Sequence, residues 1–344
     1  MALQVGIVGA GRAGCRRASR LEAYPDVTIA AVADPNRPAR DAFARRFGVK
    51  LAVSDHRRLA ADKRIDVAYI CSPPVTHSTI AVDSLRSGKH VICEQPMAVT
   101  MKQAEEMTTA AENTNRRLFV ALPQRYDPAN QEAARIIDAG EIGYPFLVLA
   151  SFLRNEFDRL NDWHDWMGTW EVGGGGILMQ SGSEAVDLLQ NFVGEVGAVG
   201  AVCTRFAIQP LAKAEDSCML GIEFVEDAAA ELTLTGAARY STWPDEYTGS
   251  AMRVEVYGLD GSVQITSSQP RLTVITKRTR RRVTADSEIK TDLPTDMDRD
   301  FLDCILEDKE PLVSLDDAMH ALRVILAAYK ASQMKRRVET LEEL

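Results

Sequence analysis

The hexapeptide Gly9-Ala10-Gly11-Arg12-Ala13-Gly14 constrains this chain more than any other segment, because of where it stands. It follows the apolar run Val5-Gly6-Ile7-Val8 directly and opens a helical pattern, so it predicts a strand, a glycine turn and a helix in succession. In such a unit Gly9 permits the tight turn, Gly11 lets a pyrophosphate approach the backbone, and Gly14 allows close helix–strand packing. Arg12 and Ala13 begin the helix, whose first amides suit an anion. About 20 residues beyond Gly14, at the end of the next apolar run, Asp34 is placed to accept hydrogen bonds from an adenosine ribose. Asp34 repels a 2′-phosphate, which favours NAD over NADP. Arg37 keeps NADP open, since it pairs with that phosphate if its loop turns inward.

The same grammar continues. Nearly uniform apolar runs at 5–8, 27–32, 67–70, 90–93 and 117–121 read as strands buried on both faces, and helical patterns at 13–22, 38–47, 76–87 and 101–113 lie between them. That alternation predicts an α/β domain with a doubly wound parallel sheet. After about residue 125 the runs at 146–153, 198–206, 218–224, 229–235, 252–257, 263–266 and 272–276 follow one another mostly without helices, and several alternate apolar with polar residues. An α+β domain with an open, largely antiparallel sheet is expected there, flanked by helices at 128–138, 182–192, 296–306 and 315–330. A length of 344 residues fits two domains, cut here at 1–124 and 125–344. The basic run Lys277 to Arg282 reads as a solvated strand edge.

Acidic residues outnumber basic ones 49 to 40, so bulk charge repels a phosphate backbone or an anionic membrane surface, and neither nucleic acid nor membrane is an expected partner. No apolar stretch is long enough to span a bilayer. The start Met1-Ala2-Leu3-Gln4 has no basic segment before its apolar residues, so no export signal and a cytoplasmic location are expected. The six cysteines show no Cys-x-x-Cys spacing and read as reduced small hydrophobes, with no metal site.

Further segments resemble the Gfo/Idh/MocA oxidoreductases, which act mostly on sugars, inositols and related polyols. Cys71-Ser72-Pro73-Pro74-Val75-Thr76-His77 looks like that family's segment beside the nicotinamide. Gly88-Lys89-His90-Val91-Ile92-Cys93-Glu94-Gln95-Pro96 looks like its Gly-Lys-His-Val…Glu-Lys-Pro signature, and Gln124-Arg125-Tyr126-Asp127-Pro128 like the start of its second domain. Trp166-Met167-Gly168-Thr169-Trp170 followed by Gly174-Gly175-Gly176 is similar to a pocket-shaping segment in one branch. The resemblance implies cofactor contacts from Ser72, Pro73, Pro74, His77, Glu94 and Gln95. It also implies an active site of a lysine, an acidic or amide residue and a histidine, whose positions here hold Gln95, Gln180 and Glu184. Gly182 and Asp187 keep their expected places.

Alcohol oxidation needs a two-electron acceptor and a base for the hydroxyl proton. With Gln95 and Gln180 both neutral, the two positions have lost their charges together, which avoids an uncompensated carboxylate in a desolvated site. Glu184 suits proton transfer, the binding of a substrate hydroxyl pair or amino group, or a surface or structural role; the four-residue spacing puts it on one helical face with Gln180. Among the five histidines, His56, His90 and His320 read as structural and His77 as a support for the cofactor loop. His164, in a polar and aromatic loop, is the other candidate proton acceptor. Trp163, Trp166 and Trp170 suit stacking on a sugar face or a hydrophobic plug. Arg154 reads as a clamp for an acidic substituent or as a strand-end charge, while Arg125 and Asp187 join the expected substrate contacts. The combined expectation is an NAD(P)-dependent oxidoreductase of a cyclic polyol, sugar or sugar derivative, forming a homodimer or homotetramer. Redox-assisted elimination or glycoside cleavage with bound NAD, and a silent dinucleotide-binding sensor, are the competing readings.

Overall fold

The computed structural model describes residues 2–161, 165–205, 214–238, 251–284, 286–289 and 291–340. Eleven elements run through the first part of the chain: β1 (Leu3–Val8), α1 (Arg12–Leu21), β2 (Val27–Ala33), α2 (Arg37–Phe47), β3 (Leu51–Val53), α3 (His56–Ala60), β4 (Val67–Ile70), α4 (His77–Arg86), β5 (His90–Glu94), α5 (Met101–Thr114) and β6 (Leu118–Ala121). The strands form one parallel sheet in the order β3-β2-β1-β4-β5-β6. Every residue of β4 and β6 is buried, as a sheet covered on both faces requires. Helix ends follow local chemistry: the Asn36 side chain caps α2, which Gly48 closes at φ 66°, and Thr100 caps α5. The short strand β3 carries too few residues for its sequence to show a period.

The later elements are α6 (Pro128–Asp138), β7 (Pro145–Leu153), α7 (Phe157–Asn161), α8 (Trp170–Gly173), α9 (Ile177–Val193), β8 (Val196–Thr204), β9 (Ser217–Phe224), β10 (Ala229–Thr235), β11 (Ala251–Gly258), β12 (Gly261–Thr266), β13 (Leu272–Thr276), β14 (Arg280–Val283), α10 (Met297–Glu307), α11 (Leu315–Met334) and β15 (Val338–Glu339). Nine strands form a mixed sheet, β14-β13-β12-β11-β7-β10-β9-β8-β15, antiparallel except where β7 meets β10. Strict alternation along β9 buries Cys218, Leu220, Ile222 and Phe224 on one face, against which α9 packs, and leaves Met219 and Glu223 on the other. The basic run lies at the edge strand β14, with Arg281 reaching Glu132 at 2.6 Å.

Two compact units result, Met1–Ala121 with Asp296–Met319, and Leu122–Thr295 with His320–Leu344. The first cut thus precedes the expected 124/125 boundary, and residues 296–319, expected in the second domain, return to the first unit. Side chains explain the return. Phe301 stacks on Phe119 with centroids 4.8 Å apart, and the fully buried Asp298 accepts hydrogen bonds from Tyr69 at 2.7 Å and Arg17 at 3.3 Å. Helix α9 begins five residues before the expected 182. Its first turn is apolar and uncapped by any neighbouring side chain, so sequence shows no start signal there.

Candidate active site

The glycine turn of the first unit shows three different reasons for glycine. A Cβ on Gly9, at φ +104°, would lie 2.6 Å from the Cys71 carbonyl oxygen, and one on Gly14 would lie 1.9 Å from the Gly9 oxygen. A Cβ on Gly11 would meet nothing within 4 Å. Gly11 therefore borders open space at the α1 N-terminus, where no side chain among the described residues caps the first-turn amides of Arg12 and Ala13. A pyrophosphate fits that cradle in both shape and polarity.

Asp34 ties the loop together. Its carboxylate accepts from the backbone N–H of Ala10 at 2.7 Å and of Asn36 at 2.7 Å. Arg37, the residue that kept NADP open, is exposed and pairs along its own helix with Asp41 at 3.4 Å. The cation at the end of β2 is instead Arg40, whose guanidinium donates to the Asp34 carbonyl oxygen at 2.6 Å. Sequence reasoning missed it, although Arg40 stands one helical turn beyond the Asn36 cap and so returns to the same end of the helix.

At the end of β4, Ser72 and Thr76 share a hydroxyl bond of 2.7 Å, and Thr76 donates to the Pro73 carbonyl. Pro74 opens a short 3-10 turn, and the buried His77 imidazole sits between the carbonyl oxygens of Pro96, at 2.9 Å, and Ser72, at 2.8 Å. Burial pushes its pKa down. His77 thus holds the Ser72–Pro74 loop to the segment carrying Glu94, Gln95 and Pro96. Glu94, expected to face the cofactor, is spent on the Arg17 guanidinium at 2.6 and 3.1 Å. That bidentate pair fixes α1 to β5 below the glycine turn.

In the second unit, α9 carries Gln180, Glu184 and Asp187 on one face. Its N-terminus is held by Glu215, whose buried carboxylate accepts from the backbone N–H of Gly176 at 2.9 Å and Leu178 at 3.0 Å and from the Tyr329 hydroxyl at 2.7 Å. Burial pushes the Glu215 carboxyl up against these bonds. The glycine run is needed for this contact: a Cβ on Gly176 would lie 1.8 Å from the Glu215 backbone carbonyl oxygen, and one on Gly175 2.1 Å from the Tyr329 hydroxyl. Neither Glu215 nor Tyr329 has a sequence signal, because both reach α9 across the fold.

Glu184 is buried and forms an ion pair with Arg154, which stands just past β7 and is about one third exposed. Gln124 donates to its other oxygen at 3.4 Å. Gln180, one turn earlier, has a buried Nε2 that finds no hydrogen-bond acceptor among the described residues, and the same holds for Arg154 Nε. Gln124 and Arg154 also line a cavity of about 200 Å³, together with Asp127, Phe152, Met252 and Arg271. Arg125 and Asp187, expected to bind substrate, bind each other at 2.7 and 3.0 Å with Asp187 fully buried, and so join the turn before α6 to α9.

Trp166 lies beneath the Arg159 guanidinium at 5.9 Å, and Trp170 packs edge-on against Tyr329 at 4.8 Å. Trp163 and His164 lie outside the described residues.

Two family models match the chain: an oxidoreductase family with an NAD-binding Rossmann fold over residues 3–122, and an oxidoreductase C-terminal alpha/beta domain over residues 134–340. Myo-inositol 2-dehydrogenase of Thermotoga maritima is 24% identical over 99% of this chain and 99% of its own length. Levoglucosan dehydrogenase of Pseudarthrobacter phenanthrenivorans is 30% identical over 59% of this chain and 54% of its own. Among solved structures, a levoglucosan dehydrogenase in complex with NADH and L-sorbose superposes with a TM-score of 0.88 at 23% identity, covering both chains in full. No described helix is long and apolar enough to cross a membrane.

Proposed function

Because this chain belongs to the Gfo/Idh/MocA family of NAD-binding oxidoreductases, enzymes that act on CH–OH groups, we propose that it oxidises a secondary alcohol of a cyclic polyol, sugar or sugar derivative, with Glu184 as proton acceptor. One observation carries the reading: on one face of α9 a buried carboxylate and a buried amide N–H that meets no acceptor among the described residues stand a single turn apart, beside an arginine. The Gln180 N–H and the Arg154 Nε–H are donors that a substrate oxygen satisfies, and leaving such groups unmet costs about 1–3 kcal/mol each.

When bound, the nicotinamide supplies the two-electron acceptor for the carbinol carbon. Gly9, Gly11, Arg12, Ala13, Gly14 and Asp34 would hold the dinucleotide, with Ser72, Pro73, Pro74 and Gln95 nearer the reacting end. The chain's own part is to orient the alcohol and take its proton. While Glu184 is ionised, Arg154 balances it. Once the hydroxyl proton is on Glu184, the guanidinium charge is unmatched and stabilises negative charge left on the substrate oxygen. Within the second unit, Gln180 orients the substrate by a hydrogen bond from its Nε2.

One observation favours a second reading, a dinucleotide-binding sensor without turnover: both Glu184 oxygens are already engaged, by Arg154 and Gln124. Absorbance of the reduced nicotinamide, followed with a panel of polyols, amino sugars and sugar acids, separates the two. Turnover lost in Glu184→Gln and kept in His164→Ala supports the carboxylate; the reverse assigns the proton to His164, and cofactor binding without redox change across the panel supports the sensor. Self-association through the open sheet face is part of the proposal, since Val202 and Met219, paired across β8 and β9, are each 54% exposed there. Light scattering that shows a monomer at micromolar concentration removes it.

A further inference from the structure

Cys203 and Cys218 stand directly opposite each other on the adjacent antiparallel strands β8 and β9. The backbone N–H of Cys203 donates to the Ser332 hydroxyl of α11 at 3.0 Å, and on the same edge of β8 the Gly197 carbonyl accepts from Thr340. The polar backbone of Cys203 therefore points away from β9, and the pair occupies a non-hydrogen-bonded site. Opposing Cα atoms at such sites lie about 4.5 Å apart with their side chains at closest approach, inside the span of about 4.4–6.8 Å that a disulfide bridges. Both side chains share the covered face of the sheet, as register partners across an antiparallel pair must. Cys218 is 1% exposed, whereas Cys203 is reachable from solvent. All six thiols are free, and no other two cysteines are register partners among the described strands.

We propose that Cys203 and Cys218 form an oxidative modification site, in which a peroxide converts the two thiols into a disulfide joining β8 to β9. The reachable Cys203 sulfur attacks a peroxide oxygen and the O–O bond breaks, leaving a sulfenic acid on Cys203 and one molecule of water from hydrogen peroxide. The Cys218 sulfur then attacks the Cys203 sulfur, the S–O bond breaks, and the departing hydroxyl leaves as a second water with the Cys218 proton. Two thiols lose two electrons and one peroxide gains them. The order follows from access: Cys218 is buried and its thiol is pushed up, so it does not meet the peroxide first, whereas Cys203 is reachable from solvent. The bond pins the strand start that delivers Glu215, three residues before Cys218, to the N-terminus of α9.

The test treats the full chain with hydrogen peroxide, alkylates the remaining thiols and maps the tryptic peptides; trypsin cuts between the two cysteines at Arg205 and Lys213. The expected result is a linked pair of peptides lighter by two hydrogens than their sum, loss of two of the six thiols together, a raised melting temperature, and reversal of all three by dithiothreitol. Cys203→Ser, at a partly exposed position, is expected to leave Cys218 fully alkylated after the same treatment. Cys218→Ala is expected to leave a sulfenic acid on Cys203 that dimedone traps. Oxidation of Cys203 to sulfinic acid with Cys218 still alkylated overturns the proposal, as does a bridge between any other two cysteines.

Discussion

Arg154 and Glu184 are bound side chain to side chain, with the carboxylate buried and the guanidinium about one third exposed. Removing only the arginine strands a buried charge, whereas removing both charges does not. Arg154→Met is therefore expected to lower stability by about 2 kcal/mol, and Arg154→Met combined with Glu184→Gln by clearly less. Urea unfolding of the four chains of this cycle measures it. Additive losses would show that the pair is not coupled.

Gly11 and Gly14 separate binding from folding. Ala at 14 puts its Cβ 1.9 Å from a backbone oxygen, so the turn must shift, and stability is expected to fall by about 1–3 kcal/mol. Ala at 11 enters open space at an ordinary φ of −78°, so the fold is expected to keep its melting temperature while NADH affinity falls by about tenfold or more. Thermal melts and NADH fluorescence titration read the two effects. Unchanged NADH affinity in Gly11→Ala moves the pyrophosphate elsewhere.

These glycines were legible in the sequence because their reasons are local: a turn, a helix start and a strand end lie within a few residues. So was the alternation of β9, which one covered face imposes. What escaped the reading is tertiary. Glu215 and Tyr329 reach the start of α9 from distant segments, and Asp298 joins Arg17 across most of the chain, so no spacing betrays them. Residues that a resemblance marks as contacts can be spent otherwise. Glu94 is taken by Arg17 and Asp187 by Arg125, because a buried carboxylate binds the nearest cation that the fold brings.

Cofactor preference is expected to turn on Asp34 and Arg40. Arg37→Ala is expected to leave the affinities for NAD and NADP unchanged within twofold, since Arg37 is exposed and faces Asp41. Arg40→Ala removes the cation bonded to the Asp34 carbonyl oxygen and is expected to weaken binding of NADP more than of NAD. Titration of the three chains with both reduced cofactors decides. A selective loss of NADP in Arg37→Ala returns the phosphate contact to that residue.

Arg17 is 4% exposed and serves two carboxylates, Glu94 and Asp298. Arg17→Met leaves both without their shared cation, and a loss of about 3–5 kcal/mol is expected in urea unfolding. Arg17→Lys is expected to restore only part of it, because one ammonium cannot bind Glu94 through two parallel N–H bonds. Full recovery with lysine would reduce the site to a point charge.

His90 supplies a pH dependence with a definite sign. Its Nδ1 accepts the backbone N–H of Arg117 at 3.0 Å, which requires an unprotonated nitrogen. Burial, and then the charges of Arg116 and Arg117, push its pKa down to about 4 from the ordinary 6.5. Between those values the unfolded chain binds a proton that the folded chain refuses. The contribution of His90 to stability is therefore complete above about pH 6.5 and is lost as pH falls toward 4. His90→Gln keeps an acceptor of similar reach and does not titrate. Its unfolding free energy is expected to fall less steeply than that of the wild-type chain across this window, and the two slopes are expected to agree above it. Carboxylates such as Asp62, lowered to about 2, titrate equally in both chains, so the difference isolates His90. Parallel slopes throughout the window would mean that the folded chain protonates His90 at its ordinary pKa and that the Arg117 bond breaks at no cost.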